Sequence, residues 1–528
     1  MAGRGYTSYP FQGFGEGLNL TDKPDAVSPA ECIDCMDVSF TDRGAIEQRA
    51  GYEALATLTN RVDSLSPFYR SSGVRQLIAG CGSRLEALSV SGEVLASETG
   101  LSDGPYGFAR FGAPTAEVIY AGNGTDAIRK WDGSAWSTPT ASVDGISGKA
   151  MPTARFLAVL PQDHRLLATG FRTNSGGPGG AISSPAHAYF SEPGNPESWM
   201  TEGTEAHPEN SEQFAPGDGE EIQGVISWGE FTFVFKETKY FVIWGVSADG
   251  RGNPVFNYRT VDTGVGLVAP ETLCADASGV YFMGRGGVYR TTGQAPQLIS
   301  GKIEPIWAGG ASPFFTGGTL AHTSITDCAA TIHEGRLYLS YPTVEANDRT
   351  LVYDPGSGWW SLYSLACGAL TSFRVGASQE LVFGYAAGKN KIARHRLAVT
   401  NDDGAPISSY WRSGWFDLGS PDVKTIRSEK VWGTGTVSMA VGYDFRRSVG
   451  QVEQLTLEDQ TAPEWGDTQW DESEWAEPRG LTAAERRVAV RGTTFSVYFS
   501  NNLLDQSWSI HRIDHHVRET RKPSTVNG

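Results

Sequence analysis

The chain has 528 residues, enough for a large core and roughly two or three domains. With 64 Gly and 27 Pro it is too turn-rich for a helical protein, and with 11% aromatic and only 20% charged residues it is too apolar for a disordered one. A net charge of −17 argues against a chain that wraps nucleic acid in a basic groove, because neutralising phosphates takes an excess of Lys and Arg.

In chain order, residues 1–60 do not follow the pattern of what comes after. Gly13-Phe14-Gly15-Glu16-Gly17-Leu18-Asn19-Leu20 is a glycine-rich lead, 25–31 reads as a turn, and 32–40 gives way to a turn and a strand carrying Arg49 and Tyr52. This stretch is expected to be an N-terminal docking segment, with Phe14, Leu18, Arg49 and Tyr52 as contacts to other copies or partners. The first six residues lack the apolar core of a leader, and no run approaches the ~18–20 apolar residues that span a bilayer. The expectation is a soluble chain without a membrane span, made in a reducing cytoplasm. Six scattered cysteines, Cys32, Cys35, Cys81, Cys274, Cys328 and Cys367, fall mostly in strand-like runs and outline no disulfide framework.

Residues 61–398 read as a β-propeller. The pattern is plainest at 221–290, where 222–227, 231–235, 240–244 and 255–261 are short β-branched or aromatic runs separated by polar turns. Four such strands in about 40 residues make one blade. The next unit contains a tight hairpin, Gly279-Val280-Tyr281-Phe282-Met283 leading to Gly287-Val288-Tyr289-Arg290. Strand-rich units recur at about 62–98, 99–140, 152–200, 218–262, 263–300, 325–363 and 364–396. A local signature recurs with them: Trp131-Asp132-Gly133-Ser134-Ala135-Trp136, then Tyr353-Asp354-Pro355-Gly356-Ser357-Gly358-Trp359-Trp360, and more loosely 190–199. The acid suits a turn cap and the Trp suits packing between sheets. Polar insertions at 170–185 and 202–219 are expected as face loops that gate or meet neighbours.

From 399 to 528 the runs lengthen. Segments 409–418, 428–433, 436–445, 486–490 and 494–499 predict a separate antiparallel β-sandwich. Between them Trp465, Trp470 and Trp475 recur every five residues among acids, an arm expected to dock on the propeller or on a neighbouring subunit. The fold class is therefore all-β: a propeller with an N-terminal docking segment and a C-terminal sandwich.

The sequence holds few motifs that carry chemistry. Cys32-Ile33-Asp34-Cys35 has no second ligand pair for zinc. Strand geometry keeps His511, His515 and His516 off one common face. There is no phosphate loop, H-E-x-x-H helix or G-x-S-x-G elbow. Asp132, Asp354 and Asp402 could pair as glycosidase carboxylates, but each sits in a turn where capping explains it. No residue is expected to be catalytic and no cofactor or metal is expected.

Gly17-Leu18-Asn19-Leu20-Thr21-Asp22, Ser28-Pro29-Ala30-Glu31, Asp37-Val38-Ser39-Phe40 and Arg43-Gly44-Ala45-Ile46-Glu47-Gln48-Arg49-Ala50-Gly51-Tyr52 together resemble the start of a class of tailed-bacteriophage tail proteins. Those proteins carry a "G-L-N … N-V/D-V … G-x-L-R-x-R-P-G-Y" pattern ahead of a propeller. Here Gln48 replaces a basic residue and Ala50 the usual Pro. Residues 264–290, 492–497 and 507–512 are similar to the same class. The resemblance implies a virion structural protein, in short-tailed phages the nozzle or packaged-DNA stabilisation protein. Such a protein forms a ring, as a hexamer, below portal and adaptor, and duplex DNA passes its lumen without tight binding. An acidic wall fits a tube that must not hold DNA. Two alternatives follow from the same class: a tail-tip protein that binds host glycan, and a glycan-cleaving tail enzyme.

Overall fold

The computed structural model describes residues 7–41, 43–113, 116–201, 210–248, 254–386, 390–446, 452–457 and 482–519. Within them the chain is all-β. Apart from short 3-10 turns, helix is confined to one turn at Pro305–Ala308.

The middle of the chain is a β-propeller. Six sheets of four strands, and one of seven, follow one another in chain order. Each begins with an innermost strand: Ser64–Tyr69, Gly107–Ala113, Phe156–Val159, Gly224–Trp228, Cys274–Asp276, Ala329–His333 and Cys367–Val375. These strands touch in succession, and the last comes back against the first, so the sheets close a ring. A blade is covered on both faces by its neighbours. Its inner strands therefore carry unbroken apolar runs, not alternating ones: Leu77-Ile78-Ala79 and Phe233-Val234-Phe235 are all 0% exposed.

Two sheets depart from the plain blade. The third sheet, built on Phe156–Val159, Leu166–Thr169, His187–Glu192 and Asn195–Trp199, gains the hairpin Thr140–Val143/Ile146–Ala150 through a parallel pairing, and Ser211–Gln213 on another strand. The final sheet has only Cys367–Val375, Ser378–Tyr385 and Lys391–His395 from its own stretch of chain. Its fourth strand is Tyr52–Thr57, antiparallel to Lys391–His395. A strand from upstream of the ring thus seals it and leaves no open seam.

The remaining strands form one connected sheet of eleven. Its axis is Lys424–Tyr443, a strand of 20 residues. Thr482–Gly492 and Trp508–Glu519 flank its first half; Glu453–Leu457 and Phe495–Asn501 flank its second. The sequence predicts two strands here, 428–433 and 436–445, but one strand runs through Gly433 and Gly435. An added Cβ would lie 1.9 Å from the Ser509 carbonyl oxygen at Gly433 and 2.0 Å from that of Ser507 at Gly435, so these glycines admit a close neighbouring strand at a bulge.

The N-terminal strands belong to this same sheet. Thr7–Gln12 pairs with Trp508–Glu519, Glu31–Met36 with Ser409–Ser413, and Ile46–Gln48 with both Val38–Phe40 and Trp508–Glu519. Residues 7–48 and the strands after 409 are thus woven into one body. No helix among the described residues is long and apolar enough to cross a membrane.

Candidate functional site

The densest polar arrangement lies where ring and terminal sheet meet, and Arg49 is its centre. Its Nε donates to Asp37 Oδ1 at 2.6 Å, and its two Nη groups donate to the Asp402 carboxylate at 2.8 and 2.6 Å. Asp37 also accepts from the Ser364 amide (2.8 Å) and hydroxyl (2.6 Å), between the sixth and last blades. Arg49 and Asp37 are each 1% exposed. Burial alone would favour the neutral guanidine, but the two carboxylates outweigh it and raise the Arg49 pKa. The group stays charged and fastens three segments of chain.

This corrects the expectation that Phe14, Leu18 and Arg49 meet a partner. Phe14 and Leu18 are 0% exposed, and Phe14 packs edge-on to Trp411 at 5.3 Å. Both belong to the core that also holds Trp359, Trp360 and Trp508. Gly17, at φ +76°, lies so close to the ring that an added Cβ would be 2.6 Å from Trp359 Cβ. Tyr52 is half-buried and rests edge-on against Phe383 and Tyr385, on the strand that closes the ring. Apolar glycine-spaced residues read equally well as a sticky surface or as a seam, and here they are a seam. The sequence reading missed Asp37 and Ser364 as partners of Arg49. The usable signal was an acid opening the apolar run Val38-Ser39-Phe40, where an unpaired charge could not be buried. Trp465, Trp470 and Trp475 lie outside the described residues, as do 202–209 of the second loop; the loop at 170–185 is largely folded onto the third sheet, with Ile182 exposed.

The turn signature is built as its chemistry suggests. Asp132 Oδ1 accepts from the amides of Ser134 and Ala135, each at 2.8 Å. Trp131 is buried against Phe68, Ile78 and Ile119 of the first two blades, donates to Gln76 at 2.8 Å, and packs on Trp136 at 5.2 Å. Asp354 caps Gly356 and Ser357 in the same way and takes Arg336 as well (3.2 Å). Its neighbours face elsewhere: Trp359 packs on Phe40 of the N-terminal segment at 5.4 Å, and Tyr353 on Trp360 at 4.6 Å.

Two cavities have the setting of a site. The axial one, about 250 Å³, is lined by residues from every blade of the ring, Glu271 among them, and Glu271 pairs with Arg155 at 2.9 Å. The second, about 550 Å³, opens between ring and terminal sheet and is lined by Glu47, His333, Arg336, Glu380, His395 and Arg396, among others. Burial pushes the His333 imidazole down to about 4. Burial, with the charges of Arg49 and His333, pushes His395 down to about 3. Both stay neutral at ordinary pH, and Glu380 is held by Arg396 at 3.2 Å.

A hydroxyl, an imidazole and a carboxylate do come together on the terminal sheet: Ser428 Oγ lies 3.1 Å from His516 Nδ1 and 2.6 Å from Glu485 Oε1. The carboxylate also sits on Nδ1, at 3.1 Å, so one nitrogen faces both groups and no relay runs through the ring. His515 is buried against Glu429 at 2.7 Å, and Cys32 and Cys35 are buried free thiols, with Cys32 raised well above the ordinary thiol range chiefly by burial.

No family model matches the chain, and no curated protein does. The chain is distantly similar to several solved structures. BBS1N in its complex with ARL6DN is 10% identical at a TM-score of 0.40, over 66% of this chain and 99% of that one. Raptor of Chaetomium thermophilum is 10% identical at 0.41, over 67% of this chain and 30% of that one. Streptogramin B lyase is 9% identical at 0.37, over 66% and 97%. At this distance the similarity concerns the fold alone.

Proposed function

We propose that the chain is a structural protein of a bacteriophage tail, and specifically the nozzle: a ring of identical copies, hexameric on the sequence resemblance, that joins the tail adaptor, retains the packaged genome and conducts it at ejection. The observation that carries this reading is where the resembling residues fall. Gly17 against Trp359, and Asp37 and Arg49 against Ser364 and Asp402, are spent on holding a propeller and a second sheet in one rigid body. A motif devoted to rigidity suits a part that works by shape and assembly.

The axial cavity refines the reading. At about 250 Å³ the axial cavity is far too small to pass a duplex. In this proposal the DNA path therefore runs between copies and never through the propeller's own axis. The function needs no cofactor and no membrane span, and the protein is made in the host bacterium before it joins the virion.

The test is to image purified protein, alone and with adaptor, and to locate it on intact particles with an antibody. Closed rings with a lumen that admits duplex DNA, and label below the portal, are expected. A chain that stays monomeric with adaptor and is missing from particles overturns the proposal. Label at the tail tip together with glycan binding transfers the chain to the host-recognition alternative.

A further inference from the structure

The chain is acidic overall, yet one face of its terminal sheet is basic. Along the first half of Lys424–Tyr443, residues paired across strands share a face. Thr425 stands between Arg491 and Arg518, Ser428 between Arg487 and His516, and Trp432 beside Arg512. The alternate positions Ile426, Glu429 and Val431 are 0% exposed on the other face. The outer face thus gathers Arg427, Lys430, Arg487, Arg491, Arg512 and Arg518, all half-buried or exposed. Arg427 stands at the bulge between Ile426 and Ser428 and, with Ser8, Arg487 and His516, lines an open depression of about 710 Å³.

Two carboxylates oppose these cations, and both are occupied. Asp514 accepts from Arg512 at 2.8 Å, and Glu485 accepts from Ser428 at 2.6 Å and lies 3.1 Å from His516. Arg427, Arg487, Arg491 and Arg518 form no ion pair among the described residues. Lys430 and Arg512 each lie 4.8 Å from the ring centroid of Trp432. With cations already on its ring, that indole is not offered for stacking on an unpaired base.

We propose that this face is a contact surface for the phosphate backbone of duplex DNA. Rows of cations on strands roughly 4.8 Å apart can follow a polymer with one charge per ~1.7 Å of axis without wrapping it. A two-fold contact between copies would set the face against itself, cation on cation. A head-to-tail contact would need free acids. The acidic stretch 192–237 has several of its acids engaged within its own chain: Glu197 by Lys130, Asp218 by Lys236 and Glu237 by Arg285. The inference deepens the nozzle reading, in which a duplex passes this protein. Its failure is separable, because rings could form whether or not this face touches DNA.

The experiment is fluorescence anisotropy of full-length protein with a labelled duplex of random sequence, across a salt series. Binding without sequence preference is expected, weakening about a hundredfold between ~50 and ~200 mM salt, as roughly four neutralised phosphates predict. R427E/R487E/R518E should lower affinity at low salt at least tenfold while the unfolding midpoint holds. If that variant does not fold, R427A/R487A reads the same loss. R61E/R285E, equal in charge change per site, should bind as the parent does. Absence of DNA binding at low salt, or equal loss in the control, overturns the proposal. So does a face whose reversal abolishes salt-sensitive self-association and leaves DNA binding intact, which would assign it to a second copy. Binding to anionic vesicles with none to duplex would assign it to a lipid surface and overturn it equally.

Discussion

The ring and the terminal sheet solve the same problem in opposite ways. Most strands in the ring pair with the next strand in the chain, and the most distant partner, Tyr52–Thr57, is the one that closes it. In the terminal sheet distant partners dominate: Thr7–Gln12 lies on Trp508–Glu519, and Glu31–Met36 on Ser409–Ser413. The ring hides its edges by repetition and the sheet by weaving the two ends of the chain together. Local meanders form early and cheaply, whereas the woven sheet pays loop-closure entropy first and depends on a few strong long-range contacts.

If that contrast holds, the joint should be the most sensitive place in the molecule. Arg49→Met leaves Asp37, 1% exposed, without its cation, and is expected to cost about 3–5 kcal/mol by chemical denaturation. Adding Asp37→Asn should recover part of that, because no buried charge is then left unpaired. A cost below about 1 kcal/mol would mean the joint does not hold the two bodies together.

The contrast also explains what could be read from the sequence. The hairpins of 221–290 and the Trp131/Asp132 turn were legible because pattern and partner are neighbours in the chain. The pairing of Phe11 with Ile513 was not, since alternation shows which face of a strand is buried and says nothing of which strand lies beside it. The single strand through 428–433 and 436–445 was read as two for the same reason, since the role of Gly433 and Gly435 depends on Ser507 and Ser509, some 70 residues on. The net charge of −17 concealed a basic face, because a sum over the chain carries no position.

Closure of the ring offers the next largest effect. Tyr52→Ala removes the ring that rests on Phe383 and Tyr385, and about 2–3 kcal/mol should be lost for a half-buried aromatic. Hydrogen exchange should quicken first along Lys391–His395, its partner strand. Leu95→Ala, on an outer strand of the first blade and 47% exposed, should stay within about 0.5 kcal/mol. Similar losses at the two sites would show that the closing strand is no different from any other outer strand.

Acid should strain the ring and relieve the sheet. His395 and His333 titrate near 3 and 4 in the folded chain, chiefly because burial disfavours the cation. In the unfolded chain they take protons near 6.5, so their contribution is complete above that pH and drains as pH falls toward 4 and 3, by about 1.4 kcal/mol per unit for each site. Asp34 runs the other way. Burial raises it to about 7, against hydrogen bonds from Thr316 and the charge of Arg412 that lower it. Its contribution is complete below about 3.9 and is lost as pH rises through 7. His395→Gln should flatten the acid limb of denaturation midpoint against pH, and Asp34→Asn should flatten the opposing trend and stabilise the protein at pH 8. A change on the same limb for both variants would contradict these signs.

The smallest expected effect separates two copies of one motif. Asp132→Ala removes a cap on the Ser134 and Ala135 amides in an exposed turn between blades, and about 1 kcal/mol is expected. Asp354→Ala removes the same cap and also the partner of Arg336, whose guanidinium lies 5.0 Å from the centroid of the Trp359 ring that packs on Phe40. That copy faces the terminal sheet, so its loss should reach about 2 kcal/mol and loosen Val38–Phe40 in hydrogen exchange. Equal costs, with no change at Val38–Phe40, would mean that the turn serves its own blade in both places and that the terminal sheet draws nothing from it.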